Sequence, residues 1–146
     1  MKFKSLATLI CGAILLSSSL CFAAIDSERI ALGSIYPGMS ESELINAFGQ
    51  PNHRDGEDWI YQNFKVEIEL GRVEKVSTYS DTIMTPDGIR VGLGADALNS
   101  TLGTADNVDR DYDDTEYEYY SFDRSKKIEF KVVNGFITKI TCSLDD

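Results

Sequence analysis

Apolar and polar residues follow two different periods along this chain, and the first of them is helical. Between Ser40 and Gly49 the apolar residues lie at positions i, i+1 and i+4, which places them on one helix face. Ser40 and Glu43 have the spacing of a capping box. Gly49 can adopt the positive φ that ends a helix. The pattern therefore predicts a short helix that is capped by Ser40 and stopped by Gly49.

A period of two follows the predicted helix and indicates strands. Phe64, Val66 and Ile68 alternate with charged residues, as in a strand that has one buried and one solvated face. The next apolar residues, Val73 and Val76, are three positions apart, so a strand that buries both needs a β-bulge. Three strands are therefore predicted after the helix, over residues 59–64, 64–70 and 73–79. The polar stretch 52–58, which contains a turn pair, is predicted to be a loop.

The same order of patterns occurs a second time. Residues 35–51 are matched 54 positions later by residues 89–105, with Gly94 as the second cap and Gly103 as the second stop. Beyond the helices the offset is 64, because Gly71 is matched by Gly135. The ten additional residues are expected in or around the acidic stretch from Asp106 to Glu118.

Each predicted unit is too small to bury its own apolar face, so the two units should share one core. We therefore predict an α+β fold, a tandem duplication of a helix plus a three-stranded antiparallel meander with the helices packed on the sheet. The first unit covers residues 24–80 and the second residues 81–146. They are expected to form one compact, monomeric body.

The first 23 residues have the composition of a secretory signal peptide. Lys2 and Lys4 precede an apolar run that is shorter than the ~20 residues of a membrane-spanning helix, and small residues follow at a cleavage position. We expect the mature chain to begin at Ala24 and to be secreted or periplasmic, with an uncleaved anchor as the alternative. A lipid anchor is not expected, because Leu20 precedes Cys21.

Removal of this segment makes the chain strongly acidic. The full sequence has 14 Lys and Arg and 24 Asp and Glu. Without Lys2 and Lys4, twelve basic residues remain against 24 acids, a formal charge of −12. Such a surface repels phosphate backbones and anionic lipids, which argues against nucleic-acid and membrane-surface binding. The mature chain keeps only Cys142, which is expected to be a small buried residue of the last strand.

Two groups of residues could serve chemistry. Asp109, Asp111 and Asp113 alternate as in a calcium loop, but the glycine and the final glutamate of such a loop are missing, so a metal site here is only a weak alternative to a solvated loop. His53, the single histidine, has nearby acids but no identifiable nucleophile or oxyanion hole. We therefore expect no catalytic residue and no cofactor.

The densest aromatic stretch lies in the second unit. Aromatic residues there fall on both faces of any strand, so one set can be buried while the other is exposed or covered by the first unit. Tyrosines beside acids suit an interface with a basic protein partner. The candidate partner-binding residues are Tyr112, Tyr117, Tyr119, Tyr120 and Phe122.

Short motifs also suggest a family. Gly38-Met39-Ser40, then Phe48-Gly49-Gln50-Pro51, Trp59-x-Tyr61 and Gly71-Arg72-Val73 occur in order, with partial echoes in the second unit. This arrangement resembles the superfamily of β-lactamase inhibitory proteins and SmpA/OmlA (BamE-like) outer-membrane assembly lipoproteins. The resemblance implies a helix-on-sheet unit that binds other proteins, in the inhibitors through the open face of the sheet.

The resulting hypothesis is a secreted or periplasmic, non-enzymatic module that binds another protein of unknown identity. One alternative is a metal-dependent or hydrolytic enzyme that uses His53 and the acidic loop. Another is an inhibitor of a secreted hydrolase, which is a special case of protein binding.

Overall fold

The computed structural model describes residues 24–145, so the predicted signal peptide lies outside the described part of the chain. A 3₁₀ turn, Ser27–Arg29, precedes two short α-helices and eight strands. In chain order these are α1 (Glu41–Phe48), β1 (His53–Asp55), β2 (Asp58–Ile60), β3 (Lys65–Glu69), β4 (Arg72–Thr78), α2 (Asp96–Leu102), β5 (Asn107–Arg110), β6 (Thr115–Tyr120), β7 (Lys126–Val133) and β8 (Phe136–Leu144).

All eight strands belong to one antiparallel sheet with the order β1-β2-β3-β4-β8-β7-β6-β5. Each helix precedes a meander of four strands, and the β4–β8 pair joins the two meanders. The predicted fold class was therefore wrong. The protein is mostly one eight-stranded sheet with two short helices, not an α+β tandem of helices and three-stranded meanders.

The strands that the sequence did not reveal are the two edge strands, β1 and β5. β1 lies within the stretch that was predicted to be a loop, and β5 within the acidic stretch. All three β1 residues are exposed, and so are three of the four in β5. A strand that buries neither face has no apolar alternation, so only its neighbour shows that it exists. Short, charged edges also discourage sheet-to-sheet aggregation.

The first helix agrees with its predicted boundaries. Ser40 caps α1 in a complete capping box with Glu43, and Gly49 ends the helix with φ 77°. The second helix ends at Gly103 as predicted, but it begins one residue later than expected, because Ala95 and not Gly94 is the N-cap. Ala95 has no side-chain oxygen, so α2 lacks the cap bond of α1.

Equivalent backbone contacts recur in the two halves. The amide of Gly38 donates to the Val73 carbonyl (2.7 Å), and that of Gly92 donates to the Ile137 carbonyl (2.8 Å). The predicted β-bulge is present in the β3–β4 pairing, where the register shifts after Glu67, and β7–β8 has a matching shift. Each helix is thus held to the final hairpin of its own half by the same type of bond.

The registers locate the ten additional residues. Trp59 pairs with Val66, and Tyr117 pairs with Phe130, so the offset is 58 at β2 and β6 and 64 at β3 and β7. Four additional residues therefore lie in the β5–β6 connection, within the acidic stretch. The other six lie in the β6–β7 connection, just after the acidic stretch and still between the helix and the alternating strand, where the sequence analysis expected the additional residues.

One face of the sheet packs against both helices. Leu44 of α1 and Leu98 of α2 belong to the same buried cluster as Val66, Phe130 and Ile140 of the sheet. Cys142 on β8 is buried in this cluster, as predicted. Within residues 24–145 these buried side chains form one apolar cluster, which lies between the helices and this face of the sheet.

Two tyrosines connect the sheet to the helix ends. The Tyr61 hydroxyl donates to the Gly49 carbonyl (3.0 Å), and the Tyr119 hydroxyl donates to the Gly103 carbonyl (3.2 Å).

We expect Tyr119→Phe to lower the free energy of unfolding by about 1 kcal/mol, because it leaves the Gly103 carbonyl unpaired in a partly buried position. Urea unfolding at unchanged m measures this loss. Tyr112→Phe, at a fully exposed ring, is the control, and an equal loss in both variants would contradict the assignment.

Candidate protein-binding surface

The second face of the sheet, here called the open face, is polar. It contains the side chains that alternate with the core residues along the central strands, namely Lys65, Glu67, Lys75, Ser77, Glu116, Glu118, Tyr120, Lys127, Glu129, Lys131, Lys139, Thr141 and Ser143. Five of the six lysines between residues 24 and 145 are in this set. The open face therefore carries most of the lysines of this part of the chain, interspersed with four glutamates.

Most of these lysines form ion pairs across neighbouring strands. The ammonium nitrogen of Lys65 lies 2.9 Å from Asp58, that of Lys75 lies 3.0 Å from Glu67, and that of Lys131 lies 2.7 Å from Asp114. Half-exposed pairs of this kind contribute little to stability, about 0–1 kcal/mol each. They link neighbouring strands across the open face.

Two partly buried carboxylates of the open face, Glu118 and Glu129, have shifted pKa values. Burial raises the pKa of Glu129, whose ion pair with Lys127 is long (3.7 Å). Partial burial also acts to raise the pKa of Glu118. A hydrogen bond from Asn107 and the nearby Lys127 ammonium outweigh this effect and hold the pKa of Glu118 below its usual value. Glu118 is thus ionised at neutral pH beside the tyrosines of β6.

Strand β6 distributes its predicted contact residues between the two faces. Tyr119 is 1% exposed and lies in the core, so its ring offers no surface to a partner. Tyr117 is half-buried and packs against the core. Tyr120 points to the open face, where the Arg124 guanidinium lies 4.3 Å from its ring centroid and its hydroxyl donates to Glu118 (3.3 Å).

The two remaining predicted residues lie at the two ends of β6 and are exposed. Tyr112, in the β5–β6 connection, is fully exposed, and Phe122, just after β6, is 81% exposed. The backbone of Phe122 is held in place, since its amide donates to the Ile25 carbonyl (2.8 Å). Solvent therefore surrounds an aromatic ring on an ordered segment.

The turn that presents Phe122 is organised by Asp123. Its carboxylate accepts hydrogen bonds from the Ser121 hydroxyl (2.7 Å), the Ser125 hydroxyl (2.7 Å) and the Ser125 amide (3.0 Å). These hydrogen bonds lower the pKa of Asp123 to about 2, and the bond from the Ser121 hydroxyl has the largest effect. A carboxylate bound in this way acts as the centre of a small turn motif.

The residues considered for chemistry are dispersed. His53 is exposed on the edge strand β1, and Asp109, Asp111 and Asp113 are exposed along β5 and its following loop. Within residues 24–145 no group of three or more His, Cys, Asp or Glu side chains could hold a metal ion. Burial raises the pKa of the Cys142 thiol strongly, which makes it a poor nucleophile.

Comparison with solved structures gives three similar folds. A DUF4309 family protein, YjgB, from Bacillus subtilis aligns with a TM-score of 0.52 and 14% identity, over 72% of this chain and 78% of that one. An extracellular protein containing a SCP domain from Bacillus anthracis aligns with a TM-score of 0.54 and 8% identity, over 73% of this chain and 43% of that one. A cysteine-rich secretory protein from Staphylococcus aureus aligns with a TM-score of 0.52 and 11% identity, over 84% of this chain and 50% of that one.

These likenesses concern the fold alone, and this chain spans half or less of the length of the last two proteins. No family model and no curated protein matches the sequence. None of the three structures is described as a β-lactamase inhibitory protein or an SmpA/OmlA lipoprotein, so that resemblance stays a prediction. In residues 24–145, neither helix has the length and apolar character needed to cross a bilayer.

One part of the open face was not anticipated from the sequence. Ile60, Tyr79 and Lys139 come from three separate strands or strand ends and border one groove. Tyr79 is 71% exposed directly after β4. The sequence shows only that Tyr79 lies at the end of a predicted strand. It does not show that Tyr79 lies near Lys139.

The Asp123 turn gives a prediction about pH. The pKa of Asp123 is lower in the folded chain than in the unfolded chain, where it is about 3.9. The stabilisation that the ionised Asp123 carboxylate provides is therefore complete above the unfolded pKa. It is lost as the pH falls through about 2. We expect carboxyl NMR titration to show a pKa of about 2 for Asp123 and a higher value in Ser125→Ala. Ser42→Ala, in α1, should leave the titration unchanged, and an ordinary pKa for Asp123 in the native protein would contradict the turn.

Proposed function

We propose that the mature chain is a secreted, non-enzymatic module that binds another protein through β6, its two flanking connections and the adjoining part of the open face. The observation that carries this proposal is the exposure of Tyr112 and Phe122 at the two ends of one strand. Tyrosine and phenylalanine rings are enriched at protein interfaces, and exposed rings on an ordered segment are suited to act as anchors for a partner.

The order of the surface supports this proposal. The hydrogen bonds of Asp123 and the amide of Phe122 fix the turn in the free protein, so little conformational entropy is lost when a partner binds there. Between the two exposed rings, Tyr120 is already held by Arg124 and Glu118. A pre-ordered aromatic surface of this type is typical of interfaces in which a few rings supply most of the binding energy.

The charge of the surroundings indicates the partner. Asp111, Asp113 and Glu118 lie on or beside β6, and the mature chain has a formal charge of −12. A partner with a basic contact surface is favoured by this field, and its association should be faster at low ionic strength.

Secretion rests on two observations of different kinds. The first 23 residues have the pattern of a signal peptide. Two proteins of similar fold are described as extracellular or secretory. An inhibitor of a secreted hydrolase remains within the proposal, because inhibition is one outcome of binding a protein at this surface.

The proposal is tested by crosslinking in the cells that produce the protein, followed by identification of the joined partner. We expect Tyr120→Ala combined with Phe122→Ala to lower the capture of that partner at least tenfold, since the loss of a central aromatic contact costs ~2 kcal/mol or more. The matched control is Leu70→Ala, which removes an exposed apolar side chain from the β3–β4 turn. Unchanged capture in the double variant, or an equal loss in the control, would refute the proposal.

The rival enzyme makes a different prediction. If His53 or the acidic loop supported a metal-dependent or hydrolytic activity, His53→Ala or treatment with a chelator would alter the function of the protein. We expect partner capture and thermal stability to be the same before and after either treatment, because His53 lies on an exposed edge strand and no metal group is formed among the described residues. A loss of capture with EDTA that added Ca²⁺ restores would favour the rival.

A further inference from the structure

A groove crosses the open face at the end opposite to β6. It has a volume of about 630 Å³ and is bordered by Ile60, Phe64, Lys65, Ser77, Tyr79 and Lys139, among other residues. Its wall at the β2–β3 connection is ordered, because the Thr78 hydroxyl donates to the Asn63 carbonyl (2.6 Å). Tyr61 and Phe64 also border the groove, and their rings stack with centroids 4.5 Å apart. The groove therefore exists in the free protein.

The groove has an apolar part. Ile60 and Tyr79 are both exposed large hydrophobic residues, and both border it. Ile60 is the last residue of β2 and Tyr79 directly follows β4, and both side chains lie at the surface of the open face. An apolar side chain of a partner could pack between them and remove both from water.

Beside this apolar part lies a lysine without an ion pair. Lys65, Lys75, Lys127 and Lys131 each have a carboxylate within 4.0 Å. In residues 24–145, Lys139 is the open-face lysine for which no such pair is found, and its ammonium lies 5.4 Å from the Tyr79 ring centroid. On an acidic protein, with 24 Asp and Glu against 14 Lys and Arg, this arrangement leaves the Lys139 ammonium available to a partner.

The strand pairing places the Lys139 ammonium opposite a second positive charge. Lys139 lies directly opposite Lys131 in the β7–β8 ladder, and like charges at such positions repel each other. The carboxylates that neutralise Lys131 come from Asp114 and Glu116, on the β6 side. A carboxylate from a partner, placed at Lys139 on the other side, would offset the repulsion.

The neighbouring hollow limits where that carboxylate can lie. It has a volume of about 160 Å³ and is bordered by Glu116 and Glu129 as well as by three lysines. Their carboxylates repel a second acidic group, and the net charge of the chain disfavours a polyacidic ligand. A single acidic side chain with apolar neighbours suits the groove best.

We propose that this groove receives an extended protein segment in which an acidic side chain pairs with Lys139 and an adjacent apolar side chain packs between Ile60 and Tyr79. The inference rests on the proposed function, since it assigns a second contact to the same protein-binding face. It specifies a chemistry, acidic and apolar, that differs from the basic surface expected at β6.

The test uses the isotopically labelled mature chain and capped heptapeptides with Phe-Asp-Leu at the centre and Gly-Ser at the flanks. We expect the amide NMR signals of Ile60, Lys65, Tyr79 and Lys139 to shift on titration, with a Kd of about 1 mM or tighter. The Phe-Asn-Leu peptide, which lacks the charge, and the Ala-Asp-Ala peptide, which lacks the apolar groups, should each bind at least fivefold more weakly.

Two lysines provide a matched pair of variants. The Lys126 ammonium lies 5.3 Å from the Tyr36 ring centroid, away from the open face, in a setting similar to that of Lys139 beside Tyr79. Lys139→Met should weaken binding of the Phe-Asp-Leu peptide at least fivefold, whereas Lys126→Met should leave it unchanged. The inference is overturned by the absence of shifts at millimolar peptide, by equal binding of the Asp and Asn peptides, or by equal effects of the two variants.

These results are separable from the test of the proposed function. If the peptide fails while Tyr120→Ala with Phe122→Ala still abolishes capture, only the groove is rejected and protein binding through β6 stands. If the peptide binds as described but the β6 variant captures its partner normally, the groove is retained and β6 is rejected.

Discussion

The pairing of β4 with β8 is the interaction on which the rest of the structure depends. It joins two four-stranded meanders through the pairs Val76–Cys142 and Thr78–Ile140, and it turns two small apolar faces into one that both helices can cover. Neither half has enough apolar surface for a core of its own. Because the joined strands lie at the centre of the sheet, their backbone groups are paired on both sides, and only short edges remain at β1 and β5.

The same pairing creates the open face. Once the helices occupy one side of the sheet, the alternate residues of the five strands β3, β4, β8, β7 and β6 form a continuous and mainly polar surface, on which lysines and carboxylates meet across strands. Cross-strand order of this kind requires the bulges after Glu67 and Lys131, which keep Val73 and Ile137 in the core while they change the register. The binding surface and the core are therefore two consequences of one register.

The two halves differ where function is proposed. In the first half, Phe48, Tyr61 and Phe64 pack their rings together, and Arg54 covers Trp59. The second half has a longer β5–β6 connection with Tyr112 and a longer β6–β7 connection with Phe122, and both rings are exposed. The additional residues left the sheet unchanged because they lie in connections, where insertions cost little. Tyr112 and Phe122 lie within these longer connections.

The sequence by itself determined the local features: the capping box of Ser40, the stops at Gly49 and Gly103, the bulge between Val73 and Val76, and the burial of Cys142. Each depends on residues close together in the chain. Only the tertiary structure decided that β1 and β5 are strands, because exposed edge strands have no apolar period. It also decided which aromatic rings are available: Tyr119 is buried against the end of α2, whereas Phe122, three residues later, points into solvent. Proximity of Ile60, Tyr79 and Lys139 likewise follows from strand order, which a one-dimensional pattern does not contain.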